Sequence, residues 1–166
     1  VDKAVAYATW IDRDGDNVGR VDVVGLASNG TRSYSFQLPS GGIHGATTNS
    51  GKVFFAPSDG ICWVAADVKL GLQGDDVTVH HLSLGQSAEG VPKRTGAFTN
   101  VGKYVLFTTG RGAGAELCFI DASSPKPTVS TLPLEIQAGN SITSPLPVLS
   151  RTRELFALLS EEHACG

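Results

Sequence analysis

The chain has 166 residues, with 13 Lys and Arg against 16 Asp and Glu and a formal charge of −3. Its basic residues are scattered rather than banked into a stripe, which argues against a dedicated nucleic-acid binder. No run approaches the roughly 18 apolar residues of a membrane helix, so no membrane span is expected, and twenty Gly with eight Pro fit an all-β chain rich in turns. Val1 opens on strand-like sequence with no signal-peptide pattern, and without an initiating Met the chain reads as processed or cut from something longer.

In chain order, a first unit (about 1–40) holds strand-like runs over 3–10, 20–26 and 33–38, joined by turns of Asp, Gly and Asn. Tyr34, Phe36 and Leu38 alternate with Ser33, Ser35 and Gln37, the period of a strand with one face in the core and one in water. A second unit (about 41–91) adds an opening strand over 43–48 before 52–56, 61–66 and 77–84. Its Asp59-Gly60 is a hairpin turn signal, because Gly tolerates the positive φ of a tight turn. The third unit (about 92–140) repeats the order over 95–99, 103–108, 115–121 and 128–134, and an incomplete fourth (141–166) supplies 142–148 and 154–160. Residues 151–165 also have good helix propensity, yet their place in the repeat predicts a strand, and tertiary context routinely overrides propensity.

The units echo one another. Gly51-Lys52-Val53-Phe54-Phe55 is answered by Gly102-Lys103-Tyr104-Val105-Leu106 and by Arg153-Glu154-Leu155-Phe156, a step of 51 positions each time. A strand-filled period near 40 to 50 residues is the signature of propeller blades. The expected fold is therefore a β-propeller segment of about three four-stranded antiparallel blades plus a partial fourth, all within one domain. Val53, Phe55, Ile61, Trp63, Val105, Phe107, Leu117 and Phe119 are expected to be buried between blades. Propellers close with more blades than this, so the expected partners are further blades of the same protein or another chain. Val5, Tyr7, Trp10, Leu155, Phe156 and Leu158 read as apolar ends awaiting such neighbours.

Candidate chemistry is sparse. His44 opens the first strand of the second unit, where the repeat puts Thr95 in the third; an imidazole lining a propeller channel can ligate zinc, or serve structure through hydrogen bonds. His80 and His81 are adjacent on a strand and so point to opposite faces, which prevents chelation of one ion. Glu161, Glu162, His163 and Cys165 offer ligand types in a row. Asp12, Asp14 and Asp16 place oxygen ligands at alternate positions, as calcium loops do, but the Gly and Glu spacing of an EF-hand is missing, and an acidic turn without metal is the competing reading. Three cysteines leave at least one thiol unpaired within the chain, and Cys62 and Cys118, set among apolar residues, read as small buried hydrophobes.

The run His44-Gly45-Ala46, then Gly51, Val53, Phe55 and Asp59-Gly60, resembles a blade of the periplasmic zinc-chaperone propellers of the AztD type, over some 20 residues. That resemblance implies zinc binding and delivery in a secreted or periplasmic setting, with His44 as a ligand. The chain departs from the pattern at Ala46, where an acidic residue is common, and at Ala56-Pro57-Ser58, which supplies no Cys before Asp59. No nucleophile-elbow serine, phosphate loop or carboxylate pair stands out. The reading is thus a non-catalytic binding domain, for metal or for a protein partner. Two other classes stay open: a structural propeller in an assembly, and part of a propeller enzyme of the lactonase or quinoprotein-like type.

Overall fold

The computed structural model describes residues 5–26, 31–66, 73–110, 112–137, 140–142, 146–149, 155–158 and 161–163. Among these residues the protein is all-β, and its three main sheets are antiparallel meanders. Sheet 1 contains β1 (Val5–Thr9), β2 (Arg20–Gly25) and β3 (Arg32–Gln37). Sheet 2 contains β4 (Ala46–Asn49), β5 (Lys52–Phe55), β6 (Ile61–Ala65) and β7 (His80–Leu82). Sheet 3 contains β8 (Thr99–Val101), β9 (Tyr104–Thr109), β10 (Glu116–Asp121) and β11 (Val129–Pro133). In each sheet every strand pairs with the next in sequence. The fourth unit follows as β13 (Leu146–Leu149) paired with β14 (Leu155–Leu158), and β12 (Asn140–Ile142) paired with β15 (Glu161–His163). Repeat position has therefore prevailed over helix propensity at 155–158 and 161–163.

The sheets stack face to face because sheet 2 is apolar on both sides. Val53, Phe55, Cys62 and Val64 join Val21, Val23, Tyr34 and Phe36 of sheet 1 in one core. Phe54, Ile61 and Trp63 join Val105, Phe107, Cys118 and Ile120 of sheet 3 in another. Strand pairing enforces this split, since Phe55 lies opposite Cys62, and Phe54 opposite Trp63. Six of the eight residues expected in the core are buried, but Phe119 is 38% exposed and Leu117 only half-buried. Cys118 and Ile120 take the core face of β10 instead.

Leu117 and Phe119 are the equivalents of Ile61 and Trp63 and lie on the same face, the one turned away from the preceding sheet. The 51-residue echo also misses the structural register by one. Asn49 pairs with Lys52 across the turn Ser50-Gly51, whereas Val101 pairs with Tyr104 across Gly102-Lys103. Structural equivalents such as Lys52 and Tyr104 thus lie 52 positions apart, one more than the sequence echo. A slip of one residue reverses every side chain in a strand, so Phe54 and its echo Val105 face each other instead of the same way. In the turn itself, Ser50 (φ 46°) and Gly51 (φ 73°) are both left-handed, as a two-residue type I′ hairpin requires.

The outer face of sheet 1 also departs from expectation. Val5 and Tyr7 turn inward onto the first core. The opposite face carries a polar cluster in which Asp22 accepts hydrogen bonds from Trp10 Nε1 at 3.0 Å, Arg20 Nε at 2.9 Å and Ser35 Oγ at 2.5 Å. Burial works against the Asp22 charge, but the bonds from Ser35, Trp10 and Arg20 outweigh it and hold the carboxyl below its usual range. The expected apolar patch at this end is a hydrogen-bonded polar face. The side chains of Leu155, Phe156 and Leu158 lie outside the described ones.

Candidate functional site

Two connections set the geometry of a cleft with a volume of about 850 Å³. One wall is the link between sheets 2 and 3, which folds back on itself: Lys93 N–H donates to the Gly85 carbonyl at 2.9 Å and Ser87 N–H to the Val91 carbonyl at 2.8 Å. The other is the end of β9 with the glycine-rich turn that follows it, through Thr109, Gly110 and Gly114. Two contacts tie the walls together. Thr109 Oγ1 donates to the Arg94 carbonyl at 2.9 Å, and Lys93 Nζ pairs with Glu116 at 2.8 Å. Thr95 is buried at the base, its hydroxyl donating to the Ala97 carbonyl at 3.2 Å.

The lining is equipped for hydrogen bonding. Ser87, Thr108, backbone groups of the glycines, the exposed Arg94 and the exposed Glu89 all border the space. A bond from the Ser87 hydroxyl holds the Glu89 carboxyl below its usual range. The groups that border the space are hydrogen-bond donors and acceptors. The sequence carried a faint signal of the cleft in Gly85, Gly90 and Pro92, turn residues within the connection, and in the glycines of 110–114.

The other candidates are dispersed. His44 is exposed, and its amide extends the β4–β5 ladder by donating to the Ala56 carbonyl at 3.1 Å. Asp12 is engaged through its backbone, accepting from Gly42 N–H at 3.0 Å, while Asp14 and Asp16 are exposed. Among the described residues no three His, Cys, Asp or Glu side chains converge to hold a metal. Neither His44 nor the Asp12, Asp14, Asp16 set therefore belongs to a described cluster of three such side chains. His80 and His81 part as the strand period demands: His80 stacks on Trp63 with ring centres 3.9 Å apart, and His81 Nε2 lies 3.3 Å from Asp59. Asp59 in turn accepts from Ser40 Oγ at 2.5 Å, joining units 1 and 2. Glu161–His163 form a strand rather than a turn, and Cys165 lies outside the described residues. Cys62 and Cys118 are free and buried; burial, then the nearby Asp59 and Glu116 charges respectively, pushes both thiols up to about 12.

No family model matches the chain, and no curated protein or solved structure matches it either.

Proposed function

We propose that this chain is a run of consecutive β-propeller blades and that it works as a non-catalytic binding module, with the cleft between the 85–97 connection and the β9–β10 turn as its seat. The propeller reading is supported by meanders that follow one another in sequence and stack face to face. Equivalent residues, Val53, Phe55 and Cys62 in sheet 2 and Val105, Phe107 and Cys118 in sheet 3, face the preceding sheet in each case. The binding reading rests on one observation above all: a cleft of about 850 Å³ walled by two sheets' connections, within the size range of small-molecule sites. Zinc delivery through His44, in a periplasmic setting, ranks below it, since that reading needs ligands beyond the described residues.

Backbone amide spectra during titration with a panel of small polar probes test the seat. Shifts concentrated at 86–97 and 108–114, and weakened by Arg94→Ala, are the expected result. Shifts scattered over the surface, or none at millimolar probe, would remove the cleft from consideration.

A further inference from the structure

We propose that the turn Gln73–Val77 is a guard on the open edge of β3, and that this edge is where a second copy of the chain pairs when the turn lifts. Sheet 1 has the order β1-β2-β3, so among the described residues β3 has a strand neighbour on one side only. Leu38 N–H donates to the Gly19 carbonyl at 2.8 Å, and backbone groups alternate along a strand. The amides and carbonyls of Phe36 and Tyr34 therefore point at β2, while those of Ser35 and Gln37 point away from the sheet. None of these outward backbone groups has a hydrogen-bond partner among the described residues. A row of unpaired backbone groups is a template for another strand, and proteins commonly cover such edges with a loop.

The covering element comes from unit 2. Gly74 opens the 3-10 turn Gly74–Asp76 and lies so close to β3 that a Cβ on it would sit 2.1 Å from the Ser35 carbonyl oxygen. Only glycine allows that approach. The turn is held in shape by Gln73 N–H donating to Asp76 Oδ2 at 2.9 Å, and by Val77 N–H donating to the Gly74 carbonyl at 3.1 Å. It rests on the edge without sealing it, because a groove of about 390 Å³ remains between Ser35 and Gln37 on one side and Asp75 and Val77 on the other. The edge is also self-complementary. Two antiparallel β3 strands meeting at Ser35 exchange both N–H to carbonyl bonds across a two-fold axis, the geometry of an isologous dimer.

Light scattering over a concentration series decides the matter with four variants of the full chain. Gly74→Ala pushes the turn off the edge by collision, and Asp76→Ala loosens it by removing the bond to Gln73, at an exposed position that the core does not feel. Both are expected to form dimer at concentrations where the wild type is monomeric, while Asp75→Ala, with the same loss of charge and no described hydrogen bond from its side chain in the turn, stays with the wild type. Adding Gln37→Pro to either dimeric variant removes an outward N–H that the β2–β3 ladder does not use, and is expected to restore the monomer. The proposal fails if folded Gly74→Ala and Asp76→Ala both remain monomeric, or if the dimer persists with Gln37→Pro.

Discussion

Phe107 and Phe119 sit on adjacent strands of the same sheet and answer to different environments. Phe107 is 0% exposed in the second core and Phe119 is 38% exposed on the far face. Replacing a buried Phe by Ala costs about 3–5 kcal/mol through lost transfer energy and the cavity left behind. Denaturant unfolding is therefore expected to show such a loss for Phe107→Ala and about 1 kcal/mol or less for Phe119→Ala; equal losses would contradict the assigned faces. The thiols offer a second check. In a Cys165→Ser background, Cys62 and Cys118 are expected to ignore a thiol reagent at pH 8 in the folded protein and to react fully in denaturant, since burial keeps both protonated. The sequence showed which residues alternate but not which parity faces the core of sheet 3. In sheet 2 the distinction had no consequence, as both faces are covered. In sheet 3 Leu117 and Phe119 lie on the face turned away from sheet 2, while Cys118, read as buried from the sequence, and Ile120 take the core face.

At the level of strands and turns, the Lys103 to Asp121 pair clamps the start of β9 to the end of β10 at 2.6 Å. The hydrogen bond from Lys103, then that from Ser123, holds the Asp121 carboxyl down to about 2. A carboxyl depressed on folding stabilises the fold above its unfolded value of about 3.9, and that contribution is lost as pH falls from about 4 towards 2. The pair is exposed, so its effect is small and screened by salt. Lys103→Ala is accordingly expected to flatten the acid limb of the melting-temperature profile between pH 4 and 2 at low salt, with little change at high salt. An unaltered acid limb would show that the pair does not set it. Strand existence was legible from period-2 patterning, but strand extent was not. The run 77–84 reads as one strand, yet only His80–Leu82 pair with β6, because Val77 and Val79 pack onto the first core. The opening strand expected at 95–99 begins only at Thr99, since Thr95 and Ala97 belong to the cleft wall. Backbone ladders compete with side-chain burial at such ends, and the outcome depends on a neighbouring sheet that local pattern does not encode.

Across the whole stack, stability is expected to be uneven in a way that the layering dictates. Sheets that contact only their neighbours behave as a chain of units joined by interface energies. Sheet 2 has an apolar interface on each side, with Val53, Phe54, Phe55 and Ile61 almost wholly inaccessible. Among the described residues sheet 1 has one apolar interface, and its outer face carries the Trp10, Arg20, Asp22 and Ser35 cluster, whose partly exposed bonds each contribute about 1 kcal/mol. Edge strands β4 and β8 add a polar link between sheets 2 and 3, where Asn49 Nδ2 donates to Asn100 Oδ1 at 3.1 Å and Asn100 Nδ2 to Thr47 Oγ1 at 3.0 Å. Local opening takes the least anchored unit first. Native-state hydrogen exchange should then find the slowest amides in β5 and β6, intermediate ones in β9 and β10, and the fastest ladder amides in β1. Removing Tyr7, which packs edge-on against Phe55 at 6.2 Å, should speed exchange in sheet 1 while leaving β9 and β10 unchanged. If β5 and β6 exchanged as fast as β1, or Tyr7→Ala loosened all three sheets equally, the stack would be a single cooperative unit rather than a layered one.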